Sequence, residues 1–300
     1  MTPESLQKSR ECLEDAIRLD PGFALPYVGL ADFFLASAVV GAIPGQEAMP
    51  HARQLARRAL ELDPELPKGH GMLGVVAALH DLDWPEATRR FERAMAQEPV
   101  HWHLRLWYLA FYLLPLGRSE EAMKQGRLVV GDNPLSQICW MEFAEAYASG
   151  GREEEALAAF RKSRELDPSF WLADAWASIL HGVRREDDVA RALAEKAMTL
   201  APWSPLSAGA MAGALHNLGD HDGAQAVLGQ FGPDEAYRVP LARFCWAVMM
   251  GDLDTAVTWA TKAIEERFPA APILIMMLAP RLRHAAGWPM LRKTMRLPGA

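Results

Sequence analysis

Two histidines flank a tryptophan at His101-Trp102-His103, and two aspartates flank a leucine at Asp81-Leu82-Asp83. Short-range pairs of this kind could hold a metal ion. On a helix, however, residues two apart diverge by about 200°, so His101 and His103 cannot chelate one ion as a helical pair. Asp81 and Asp83 lack the continuation of a calcium loop, whereas Asp83 followed by Glu86 has the spacing of a capping box. Serine, histidine and aspartate are present, but no Gly-x-Ser-x-Gly presents a nucleophile and no glycine-rich loop cradles a phosphate. The ten tryptophans could stack sugars or bases. Most fall at packing positions instead: Trp107, Trp140 and Trp176 within a repeating pattern, and Trp102, Trp171 and Trp203 just after a recurring proline. The chain reads as a non-enzyme with no cofactor and no metal.

The elements around these residues repeat. Residues 134–168 read as two short helices and a turn: Trp140, Phe143, Ala144 and Tyr147 recur at helical spacing, Gly150-Gly151 breaks the pattern, and Ala156, Phe160 and Ser163 resume it before Asp167-Pro168. Prolines recur at 21, 64, 99, 134, 168 and 202. Thirteen residues past each stand Phe34, Ala77, Tyr112, Tyr147, His181 and Leu215. Twelve before them stand Ser9, Ala52, Ala87, Ala122, Ala156 and Ala190, and five before them Ala16, Ala59, Ala94, Val129, Ser163 and Ala197. Bulky columns facing small ones let antiparallel helices pack closely.

This period and pattern resemble the tetratricopeptide repeat over roughly residues 3–269, best in the repeats ending at Pro64, Pro99 and Pro168 and degenerate after Pro202. The resemblance implies an all-α fold, a right-handed superhelical solenoid of about seven hairpins over 1–269, with capping helices over 270–300. It also implies a concave groove lined from the first helices, four, seven and eleven residues past each proline. Those positions are Leu25, Val28 and Asp32; Lys68, Gly71 and Val75; His103, Leu106 and Ala110; Ile138, Met141 and Glu145; Leu172, Ala175 and Ile179; and Leu206, Gly209 and Gly213. The set is largely apolar. Arrays that clamp a peptide's C-terminal carboxylate use Lys, Arg and Asn there, and only Lys68 survives. The expected function is therefore a scaffold binding an apolar or amphipathic protein segment. The competing expectation is a small-molecule sensor with a closed aromatic pocket around the third repeat, beside His103 and Arg105.

Composition narrows the partners. Of 31 basic and 38 acidic residues, six basic ones and no acid fall in 267–300, so 25 basic against 38 acidic leave the rest at −13. An acidic body argues against nucleic acid, and the basic end reads as the wet face of a capping helix. No apolar run reaches the length of a membrane span, and three cysteines far apart suit a reducing cytosol. The expected partner is a protein or peptide, and the expected place the cytoplasm.

Local features set further expectations. Thr2-Pro3-Glu4 starts a helix that aligns with the second half of a hairpin, which suggests a segment cut from a longer bacterial regulator and an open end able to self-associate. The run VVGAIPGQEAMP, within the first hairpin, is expected as a long surface loop, accessible to protease and tolerant of deletion. Gly182 is expected to close the first helix of the fifth hairpin early, and Gly229, Gly232 and Pro233 to end the sixth ahead of register. Residues 273–296 read as a terminal helix kinked at Pro280, followed by a short amphipathic piece.

Overall fold

The computed structural model describes residues 3–234 and 236–300, and among these there are helices and no strands. Thr2, the expected cap, lies outside the described residues. Helix α1 (Pro3–Leu19) precedes seven hairpins. They are α2 (Ala24–Val39) with α3 (Gly45–Leu62), α4 (Pro67–Val76) with α5 (Trp84–Met95), α6 (Trp102–Tyr108) with α7 (Ser119–Asp132), and α8 (Gln137–Ser149) with α9 (Glu153–Leu166). After them come α10 (Trp171–Val183) with α11 (Asp187–Leu200), α12 (Pro205–Asn217) with α13 (His221–Gly229), and α14 (Val239–Met250) with α15 (Leu253–Glu265). Three short helices end the chain: α16 (Ala271–Met277), α17 (Ala279–Leu282) and α18 (Trp288–Thr294).

The small columns explain the packing. Ala52, Ala87, Ala122, Ala156 and Ala190 are fully buried, as are Ala59, Val129, Ser163 and Ala197. Large side chains enter the space they leave: a Cβ at Gly74 would stand 2.9 Å from the Phe91 ring, and one at Gly126 2.3 Å from Phe143. Buried aromatics such as Phe91 and Phe160 each contribute about 1.5–3 kcal/mol of transfer free energy.

Two recurring devices set the register. Six residues past the register proline, a side chain donates back to that proline's carbonyl: the Tyr27 hydroxyl to Pro21 (3.1 Å), His70 Nε2 to Pro64 (3.0 Å) and Trp140 Nε1 to Pro134 (2.8 Å). Each hairpin also turns through one left-handed residue: Gly41, Leu82, Gly117, Gly151, Arg185, Gly219 and Gly251. Glycine adopts that conformation without steric cost, whereas Leu82 and Arg185 must be held there by their surroundings. The fifth hairpin therefore turns at Arg185. Gly182 does not end its helix; it lies inside α10, where a Cβ would meet the Met249 methyl at 2.2 Å. In the sixth hairpin α13 stops at Gly229, ahead of register as expected. The Asp83 carboxylate accepts from Glu86 N at 3.0 Å, the expected cap of α5.

The first hairpin departs from expectation. Its extra residues lengthen α2 and α3, leaving only 40–44 as a turn, which is anchored at both ends while Ala42 and Pro44 stay exposed. Val40, Gly41, Gly45, Ala48 and Met49 are buried. The Gly45 N–H donates to the Tyr237 hydroxyl at 2.9 Å, and Gly41 lies against Phe268 and Pro205. A Cβ at Gly45 would stand 2.2 Å from the Arg267 carbonyl oxygen. The array thus bends until its first hairpin meets its last, and a deletion in this turn would break that junction.

The segment after α15 crosses the turns of the early hairpins. Met276 abuts Gly117, Arg281 pairs with Glu153 at 2.9 Å, and Trp84 Nε1 donates to the Met295 carbonyl at 2.9 Å. Residues 268–278 are buried throughout. Helix α16 packs on α8 and α15 inside the array. Of the basic residues near this end, Arg281 is held by Glu153, while Arg283, Lys293 and Arg296 face water.

Candidate functional site

On the inner side of the array, the first helices of hairpins one, three, four and five surround a cavity of about 200 Å³, with Ile273 of α16 on its wall. Helix α2 supplies Asp32, Leu35, Ala36 and Val39; α6 and its π-helical continuation supply His103, Leu106, Trp107 and Phe111. Helix α8 supplies Ile138, Met141, Glu142 and Glu145, and α10 supplies Leu172 and Trp176. The walls are mostly hydrocarbon and aromatic ring, interrupted by three carboxyl groups.

Polar groups stand at two places. At one, Asp32 accepts a hydrogen bond from Trp107, and its Oδ2 lies 3.6 Å from His103 Nε2. Burial raises the Asp32 carboxyl's affinity for a proton, against the opposing pull of the Lys68 ammonium and the Trp107 bond. Burial pushes the His103 imidazole down to about 4, with Lys68 and His101 adding repulsion. A neutral imidazole therefore faces Asp32, and the contact is not an ion pair at neutral pH. His101 does not face inward at all: it caps α6 by accepting from His103 N.

The second place is on α8. Glu142 and Glu145 are 5% and 2% exposed and act on each other, so the two cannot both ionise in this apolar setting and a proton is held between them. Burial raises both well above the carboxylate range; the Glu142 charge adds to the rise at Glu145, whereas Glu145 pulls Glu142 the other way. Glu142 Oε2 has no hydrogen-bond partner, and neither has the indole N–H of Trp176, which is 2% exposed. Among the described residues no three His, Cys, Asp or Glu are arranged to hold a metal ion.

Of the residues expected on the inner face, the fold brings Asp32, His103, Leu106, Ile138, Met141, Glu145 and Leu172 to this cavity. Lys68 sits beside them, close enough to act on Asp32 and His103. Val28, Val75, Ala110, Ala175, Ile179 and Leu206 are buried in the main core, while Leu25 lies exposed near the start of α2. Gly71, Gly209 and Gly213 admit side chains of the next first helix: Leu104, Cys245 and Met249. Sequence reasoning missed Glu142, Trp107, Trp176 and Ile273. Glu142 had a readable cue, since an acid three residues before Glu145 in the apolar run from Cys139 to Ala148 shares its helix face. Ile273 had none, because its place depends on the return of the chain end.

Comparison with known proteins bears on the fold. The tetratricopeptide repeat family matches residues 139–170, the fourth hairpin and the turn after it. The transcriptional regulator HilA of Salmonella typhimurium is 30% identical over 123 residues, 41% of this chain and 22% of HilA. The chain therefore spans less than a quarter of the length of the curated relatives it matches. Among solved structures, an IFIT1 monomeric mutant with Gppp-AAAA aligns with a TM-score of 0.66 at 11% identity, over 95% of this chain and 68% of that one. A tetratricopeptide repeat protein from Parabacteroides merdae aligns with a TM-score of 0.51 at 14% identity, over 83% of this chain and 98% of that one. The chain carries a tetratricopeptide repeat and folds as an all-α helical solenoid like those proteins.

Proposed function

We propose that this tetratricopeptide-repeat solenoid is a non-catalytic, cytoplasmic protein-interaction scaffold whose partner segment lies along the first helices of hairpins one to five. The observation that carries the reading is the inner cavity, a hollow with apolar walls and Ile273 of α16 on one side. The partner contributes one anchor to it, against Leu106, Ile138, Met141 and Leu172, with Asp32, Lys68, His103 and Glu145 around the anchor. Burial of apolar surface stabilises such a contact by about 25 cal/mol per Å² before the costs of association. A peptide's carboxylate end does not suit the site, because three carboxyls face it and Lys68 alone opposes them. IFIT1 is found with Gppp-AAAA, and an anion of that kind would meet the same carboxyls here. A place within a longer bacterial regulator is part of the proposal, supported by the partial HilA match. No described helix is long and apolar enough to cross a membrane.

The test uses peptides selected by display on the full chain, with binding read by fluorescence anisotropy. Affinity should change little with salt, because an apolar contact is weakly screened. Ile138→Lys and Leu106→Asp should abolish binding with helical content unchanged by circular dichroism, while Lys68→Ala should have little effect. Binding that weakens with salt and follows Arg292 and Lys293 rather than Ile138 would move the interaction to the basic chain end.

A further inference from the structure

We propose that the inner cavity is a binding site for an organic cation, a compact hydrocarbon body ended by a primary ammonium or guanidinium, with Glu142 and Glu145 as its polar end. The assignment rests on the cavity as the anchor site and adds the chemistry of the anchor. Its first support is the unpartnered Glu142 Oε2, on a side chain 5% exposed that lines the cavity. A buried acceptor left without a donor costs free energy that a ligand's N–H would recover. The second is the electrostatic imbalance. Lys68 acts on Asp32, yet among the described residues no cation acts on Glu142 or Glu145, whose nearest charge is each other. The third is the wall: Met141, Leu172 and the Trp176 ring give a hydrocarbon body apolar surface and an aromatic face.

Without ligand the two carboxyls share a proton, because both cannot ionise side by side in an apolar setting. An entering cation stabilises the ionised pair and sends that proton to solvent. Binding and proton release are therefore linked, and the balance is closed: ligand charge enters, one proton leaves. Across the cavity from the pair stand Asp32 on α2 and His103 on α6, with Lys68 acting on those two and not on the pair, while α10 and α16 present only Leu172, Trp176 and Ile273.

Calorimetry on the full chain tests this with 2-phenylethylammonium and n-pentylguanidinium as probes, against the near-isosteric neutral 2-phenylethanol and the anion 3-phenylpropionate. The cations should bind at least about tenfold more tightly than the alcohol, the scale expected of a charged hydrogen bond, and the anion should not bind. Repeating the titration in buffers of different ionisation enthalpy should show close to one proton released. Glu145→Gln keeps the side chain's shape and should weaken cation binding by about tenfold or more while leaving the alcohol unchanged. Equal affinity for ammonium and alcohol, an unchanged Glu145→Gln, or no cation binding would each overturn the assignment. Display-selected peptides separate this failure from failure of the anchor reading. Peptides lost on Ile138→Lys but indifferent to Glu145→Gln would keep the anchor and remove the cation. The same peptides report the source: a Lys or Arg whose replacement by norleucine abolishes binding marks a partner's side chain, and no basic preference marks a free amine.

Discussion

Asp174 on α10 and the Glu142–Glu145 pair on α8 are buried acids on the first helices of adjacent hairpins. Asp174 is fully buried and meets Arg164 Nε at 2.5 Å and Lys196 Nζ at 2.9 Å. Both cations come from the second helices of hairpins four and five, so the chain itself balances that charge. The α8 pair is buried to a similar degree, yet its carboxyls find only each other and a hollow. The difference follows from position. Asp174 falls six residues past its register proline, on the side of the first helix that meets second helices. Glu142 and Glu145 fall eight and eleven past theirs, on the side that faces the interior of the array. An acid on the first side is structural. Asp32, at the same register as Glu145, is met there by Lys68, whereas no chain cation acts on the α8 pair.

The largest effect should come from stripping the balanced site of its cations. Arg164→Ala with Lys196→Ala strands Asp174 in the core, and leaving a buried charge unpaired costs about 3–5 kcal/mol. Urea denaturation at neutral pH should show that loss. A change below about 1 kcal/mol would mean that water already balances Asp174, and the contrast between the hairpins would collapse.

The α8 pair should instead reveal itself through pH. Its carboxyls hold protons more tightly folded than unfolded, so the native state binds more protons above the ordinary carboxylate range. Stability should then fall as pH rises, by about 1.4 kcal/mol per pH unit for each group that stays protonated only when folded. The His103 shift has the opposite sign and acts only between about 4 and its ordinary value, so it does not mask the effect above neutrality. Between pH 6 and 8, Glu142→Gln with Glu145→Gln should remove about 2–3 kcal/mol of that decline. Parallel pH profiles for wild type and variant would show the pair to be ionised when folded.

The hairpins were legible in the sequence because their causes are local. A proline, a left-handed turn residue and a small residue facing a large one act within about 35 residues, so spacing alone exposes them. The turn at 40–44 departs from its sequence pattern for the opposite reason: its Gly and Pro suggest freedom, but Phe268 packs on Gly41 and Tyr237 holds Gly45 at its end, both more than 190 residues later. The cavity was half legible. Asp32, His103, Leu106 and Met141 follow from repeat geometry, whereas burial of Ala175 and Ile179 depends on how tightly the array winds. Winding is set by many small contacts between first helices, such as Gly209 against the Ala242 carbonyl, and no motif records it.

The smallest expected effect is also the most discriminating, since it converts one site into the other. Met141 lies one turn before Glu145 on α8, and both line the cavity. Met141→Lys places an ammonium beside the unbalanced carboxyls, as Lys196 stands beside Asp174. A lysine introduced into an apolar core ordinarily costs several kcal/mol. Here the cost should stay within about 1 kcal/mol near pH 8, because the new charge meets carboxyls that would otherwise have to stay protonated. The ammonium lowers their proton affinity, so the native state gives up its extra proton and the decline of stability with pH should flatten. Ile179→Lys is the control: fully buried on α10, where the hairpin's acid is already matched, it should destabilise by several kcal/mol. Met141→Lys should also abolish binding of 2-phenylethylammonium, because a tethered cation occupies its place. If Met141→Lys and Ile179→Lys instead prove equally damaging, the carboxyls of hairpin four do not attract a cation, and their position facing the interior has no consequence for binding.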